Sequence, residues 1–170
     1  DVHDGTLQRR TEKVVVESAV ESRAGVDLGA LRSTAERLLT LAGFTGAGTV
    51  TFVRPDQRRQ AALLRISVGV PLGHGITEMT TGLDLAKLQL HLAEGGRLEG
   101  EPPAPRGHAL SVRLNAEDAE AALSPAPGRV ELLQLPSGPG IRVDTGVTEG
   151  DDLAVHADPT IAEVVSWGRD

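Results

Sequence analysis

Residues 106–118 read RGHALSVRLNAED, and the stretch from His108 to Leu114 sets the reading of the whole chain. Leu110, Val112 and Leu114 alternate with Ser111 and Arg113, the period of two that marks a half-buried strand. The proline-rich residues 99–106 (EGEPPAPR) before it form a connection. Beyond it the spacing predicts strands at Arg129–Gln134, Ile141–Asp144 and Thr160–Trp167, separated by the turn-rich stretches Ser124–Gly128 and Pro136–Gly140. Working back towards the start, Thr77–Glu94 reads as a helix with Leu85, Leu88 and Leu92 on a core face, stopped by Gly95-Gly96. Residues 69–75 (GVPLGHG) read as a loop. Val50–Val53 and Ala61–Val68 form a hairpin around Pro55-Asp56-Gln57. Asp27–Gly43 is the strongest helical pattern, with Asp27 as N-cap, Gly43 at the left-handed C′ position, and Leu28, Leu31, Ala35, Leu38, Leu39 and Ala42 on one face. Val14–Val16 is a short β-branched strand. Helices first and strands afterwards predict an α+β fold, an antiparallel sheet with two main helices.

Composition narrows the function. The 170 residues contain no cysteine, which excludes disulfide frameworks, thiolate metal sites and a cysteine nucleophile. Seventeen basic against 24 acidic residues give a net charge of −7, the wrong sign for nucleic acid or an anionic membrane. Only Phe44, Phe52 and Trp167 are aromatic, too few for base-stacking platforms. No apolar run approaches the length of a membrane span, and the start has no signal-peptide pattern, so a cytoplasmic protein is expected. The chain begins at Asp1 and its single methionine is Met79, which reads as a piece excised from a longer polypeptide.

Read without analogy, the residues offer few catalytic constellations. His74 and Glu78 have the spacing that would place both on one helical face, but Gly73 and Gly75 argue against a helix there. His74 is therefore read as bonding backbone in a glycine-rich loop. Glu149, Asp151 and Asp152 lack the alternating pattern of a calcium loop and read as a solvated turn. Gly46-Ala47-Gly48 precedes a strand, so no helix N-terminus is offered to a phosphate. His3, His91, His108 and His156 match no ligand spacing, and no GxSxG elbow supports a serine nucleophile. No metal site is expected. His108 reads as a half-buried structural histidine, and Trp167 as a core or interface anchor.

Several segments, in order, resemble the C-terminal part of biotin carboxylases, the ATP-grasp component of biotin-dependent carboxylases. Gln8-Arg9-Arg10 followed by Lys13-Val14-Val15 is similar to the family's QRRxxKVVE, and Gly46-Ala47-Gly48-Thr49-Val50 to its YxGAGTxEF strand entry. HGITEMTTGLD at 74–84 is similar to EHPVTEMVTGxDL, and residues 106–118 to RGHAIExRxNAED. Ser124-Pro125, Gly128, Gly138–Gly140 and Arg142-Val143-Asp144 resemble SPGxV and GPGxRxD. Residues 155–163 resemble PYYDSxIxK, with Asp158 and Ile161 kept. The likeness spans essentially the whole chain. It implies residues 1–100 as the C-terminal half of an ATP-grasp-like region and 101–170 as a biotin carboxylase C-terminal-like region, together one compact unit.

The same resemblance implies a degenerate site. The family's two Mg²⁺-holding carboxylates fall at Thr51 and Arg65, and a neighbouring Asn at Ser67. A guanidinium about 4 Å from Mg²⁺ would be repelled by roughly 8 kcal/mol at an effective dielectric of 20. The Arg, Gln and Glu of the family's NxRxQVEH loop, which hold bicarbonate and take its proton, fall at Gly69, Pro71 and Gly73. Retained are Lys13, matching the lysine near bicarbonate, and Arg142, matching the arginine that stabilises the biotin ureido oxygen. On composition alone, Lys13 reads equally as a surface ion pair and Arg142 as a cross-strand partner of a carboxylate. The family uses ATP, Mg²⁺ and biotin; none is expected on this chain. The expectation is a non-catalytic biotin-carboxylase-like module of an acyl-CoA carboxylase, docking other domains or subunits and open to homodimer formation. The alternatives are a ligase with Glu78 or residues 149–152 as relocated acids, and a module that binds a carboxylate or biotin-like ligand through Lys13 and Arg142.

Overall fold

The computed structural model describes residues 1–9, 12–18, 27–54, 61–154 and 159–169. In chain order its elements are β1 (His3–Asp4), β2 (Gln8–Arg9), β3 (Glu12–Lys13), β4 (Val15–Ser18), α1 (Leu28–Leu41), β5 (Gly48–Val53), β6 (Ala62–Val68), α2 (His74–Thr81) and α3 (Leu85–Ala93). There follow β7 (His108–Asn115), β8 (Glu117–Asp118), β9 (Ser124–Pro125), β10 (Gly128–Arg129), β11 (Ile141–Thr145), β12 (Asp152–Leu153) and β13 (Thr160–Gly168). The turn expected at Pro55-Asp56-Gln57 and the stretch with Asp158 lie outside the described residues, as does Arg10.

The alternating stretch becomes β7, the centre of a five-stranded antiparallel sheet ordered β1-β4-β7-β13-β11. Register places Ser111 opposite Val165 and Val16, Arg142 opposite Val165, and Glu163 opposite both Arg113 and Asp144. Facing residues of paired strands share a sheet face, so these polar groups gather on one side. Helix α2 covers that side: Ile76 packs with Ala109 and Val165, all three fully buried, flanked by Val16, Met79 and Trp167. The polar-bearing side of β7 is thus the covered one. Ser111 is 3% exposed, whereas Val112 and Leu114 on the other side are 39% and 47% exposed.

Glycine allows the close seating of α2, because a Cβ at Gly75 would lie 2.9 Å from Val165 Cγ2. Several expectations need correction. The helix expected at Thr77–Glu94 is two helices, since Gly82 takes a left-handed conformation (φ 76°) and ends α2. Asp84 then caps α3 by accepting from the Lys87 N–H at 2.9 Å. The loop expected over residues 69–75 ends early, because α2 starts at His74. The strand expected at Arg129–Gln134 shrinks to Gly128–Arg129 against Asp152–Leu153. Leu85, Leu88 and Leu92 are half-buried rather than core, because α3 meets the rest of the described structure along only part of its surface. The helix at Asp27–Gly43 forms as expected, its Asp27 cap accepting from Ala30 N at 2.9 Å, but buries no residue among those described. Among the described residues there are therefore three helices, one more than the sequence suggested.

Candidate functional site

The covered sheet face carries the site, and Arg142 on β11 is its hub. Its Nε donates to Asp144 Oδ1 at 2.9 Å, and its Nη1 donates to Glu78 Oε2 from α2. Its Nη2 lies 3.3 Å from His74 Nε2. His74 Nδ1 stands 3.1 Å from the Pro71 carbonyl, which can only accept. Nδ1 therefore carries the proton, and Nε2 offers Arg142 a lone pair. Hydrogen bonding to Asp144 outweighs desolvation, and with Glu78 adding to it the guanidinium is held more firmly protonated than usual. Glu78 Oε1 meanwhile accepts from the Leu85 N–H at 2.6 Å, so one carboxylate anchors Arg142 and the start of α3. One cation faces two carboxylates here. An incoming anion would meet net negative charge.

The start of α2 brings His74 and Glu78 onto one face after all, 4.0 Å apart. The glycines that argued against a helix instead mark its beginning: Gly73 is the N-cap, in the left-handed region at φ 87°. His74 does bond backbone, as read from the sequence.

Lys13 on β3 is half-buried, and its aliphatic stem runs along Gly5, where a Cβ would lie 2.9 Å from Cε. Burial pulls the Lys13 pKa down, Arg65 adds to that, and Asp4 opposes it. No carboxylate among the described residues lies within ion-pair distance of its ammonium. On the hairpin, Thr51 and Arg65 are direct cross-strand partners, with an irregularity in register just after Thr51. Ser67 pairs with Thr49, and Gly69 N closes the hairpin on Ala47 O at 2.8 Å. Gly69, Pro71 and Gly73 thus build the turn from β6 into α2 and present no polar side chain. Among the described residues no three acidic or histidine side chains converge as a metal would need. A threonine facing an arginine does not fit Mg²⁺, so no step is assigned to a metal nucleotide.

Sequence reading missed Glu163. It is 7% exposed, accepts from Ser111 Oγ, and its Oε1 lies 3.9 Å from where a Cβ at Gly73 would stand. The signal was present, since the family segment resembled by residues 155–163 ends in lysine where this chain has a glutamate. His3 was also passed over. Its Nε2 lies 2.9 Å from Thr77 Oγ1 on α2. The acidic turn is solvated: Asp151 Oδ2 accepts from Thr148 N and Oγ1 at 2.7 and 2.9 Å.

Residues 2–101 match the family model described as carbamoyl-phosphate synthase L chain, ATP binding domain, and residues 111–170 match that of the biotin carboxylase C-terminal domain. Over 97% of its length the chain is 34% identical to the biotin-dependent acyl-coenzyme A carboxylase alpha3 subunit of Mycobacterium leprae, spanning 28% of that protein. Over 98% it is 33% identical to the biotin carboxylase of Nostoc sp., spanning 38% of it. Among solved structures, biotin carboxylase from Campylobacter jejuni superposes with a TM-score of 0.88 at 26% identity, over 99% of this chain and 37% of that one. The chain therefore spans well under half the length of these relatives.

Proposed function

Since the chain belongs to the biotin carboxylase family, with an ATP-grasp fold, we propose that it is a non-catalytic module of a biotin-dependent acyl-CoA carboxylase, kept for its scaffold and its docking surfaces. The observation that carries this reading is the Thr51–Arg65 pair, which puts a guanidinium where resemblance places a metal-holding carboxylate. Two further features support it. Gly69, Pro71 and Gly73 are spent on a turn, and Arg142 is already occupied by Glu78 and Asp144. Of the relocated acids considered from sequence, Glu78 is committed to Arg142 and Leu85, Glu149 to the Leu133 N–H and Asp151 to Thr148. The partners of such a module are other domains or subunits of the carboxylase.

Calorimetric titration of the full-length protein with Mg·ATP tests the proposal. The expected result is no binding that depends on residues 1–170, so Arg65→Ala and Arg142→Ala leave the isotherm unchanged. Micromolar Mg·ATP affinity lost in those variants, or bicarbonate-dependent ATP hydrolysis lost with Lys13→Ala, would sink it.

A further inference from the structure

Strands β4 and β7 carry a second cluster of side chains, which shares no residue with the Arg142 hub. Strand β4 ends at Ser18 and β7 begins at His108, and the antiparallel register that sets Glu17 opposite Leu110 brings these two ends together. His108 Nε2 lies 3.3 Å from Glu17 Oε2, and its Nδ1 lies 3.0 Å from Ser18 Oγ. An ionised carboxylate only accepts, so Nε2 carries the ring proton and Nδ1 is left with a lone pair. The Ser18 hydroxyl is then the donor to Nδ1, with the Ala109 carbonyl as a more distant alternative at 3.2 Å. The Ala109 N–H donates to Ser18 Oγ at 2.9 Å and holds that oxygen in place. The side chains of His108 and Glu17 are 32% and 27% exposed, whereas Ser18 is 9% exposed.

A hydroxyl within reach of a base that a third group orients is the arrangement that activates a nucleophile. We propose that Ser18 is an acyl-acceptor site, at which an activated ester or thioester leaves a short acyl group on Oγ. As Oγ attacks the acyl carbonyl carbon, its proton passes to His108 Nδ1, and Glu17 stabilises the imidazolium that forms. When the tetrahedral adduct collapses, the bond from that carbon to the leaving oxygen or sulfur breaks, and the proton on Nδ1 goes to the leaving atom. Either ring nitrogen can serve as the base, because whichever one lacks the proton holds the lone pair. The small exposure of Ser18 confines the site to short acyl groups such as acetyl. Neither Mg·ATP nor Arg65 takes part, so acylation at Ser18 stands or falls separately from the loss of metal-nucleotide binding.

The test incubates the full-length protein with p-nitrophenyl acetate and, separately, with phenyl thioacetate, and reads acetylation at each serine by peptide mass spectrometry. Acetyl is expected on Ser18, forming faster there than on Ser33, an exposed serine of α1. His108→Gln should slow the Ser18 reaction about a hundredfold, the contribution of a positioned base. Reaction with both reagents assigns the site to oxyesters and thioesters alike, and reaction with one alone assigns it to that class. No acetyl on Ser18 from either reagent overturns the proposal. So does a wild-type rate on Ser18 no faster than on Ser33, a comparison that needs no variant to fold. An unchanged Ser18 rate in folded His108→Gln overturns it as well.

Discussion

At the scale of single residues, charged groups are committed unevenly. Arg142 gives its donors to Glu78 and Asp144. Lys13 has no carboxylate within ion-pair distance among the described residues, and Arg65 stands near it. His3 shows the cost of such burial. Its pKa falls from 6.5 to about 4, chiefly through burial, with Lys13 adding and Glu163 opposing. Between about pH 6.5 and about pH 4 the unfolded chain therefore binds a proton that the folded one refuses. Stability is full above that window and falls as the pH drops through it. In urea unfolding followed across this range, wild type should lose stability more steeply than His3→Asn; parallel curves would contradict the assignment.

At the scale of elements, glycines decide where α2 begins, ends and rests. Gly82 holds φ 76° in open space, so Gly82→Ala meets strain but no clash. It should cost about 1 kcal/mol. Gly75→Ala drives a Cβ against Val165 inside the core and should cost more, about 1–3 kcal/mol. Chemical denaturation midpoints give the order directly, and a larger loss for Gly82→Ala would show that α2 is not seated on the sheet as described. The same helix carries both Glu78 and His74 to Arg142, so loosening it disturbs the hub as well as the core.

At the scale of the molecule, stability is unevenly spread. Strands β7 and β13 pair along nearly their full lengths under α2, whereas among the described residues β5 and β6 pair only with each other and α1 buries no residue. Leu64 and Val68 on β6 are 65% and 77% exposed. Two-stranded ribbons and unburied helices open at low free energy. Hydrogen exchange should protect the amides of β7, β13 and α2 most, and those of α1 and the hairpin least. Uniform protection would mean that these outer elements share in the core.

Much of this was legible in the order of the residues. The hairpin, the helix at Asp27–Gly43 with its cap, and the strands at His108, Ile141 and Thr160 follow from local patterns, which need no knowledge of the rest of the chain. So did the family, because motif order is a property of sequence. Period two established that β7 has two unlike sides, but not which one is covered; α2 settles that, and it covers the polar one. Burying Ser111 and Glu163 is tolerated because they satisfy each other, a pairing between strands 52 residues apart that no local window contains. The capture of Arg142 by Glu78 arises in the same way. Electrostatics acts through space, so only the folded arrangement decides which charges meet.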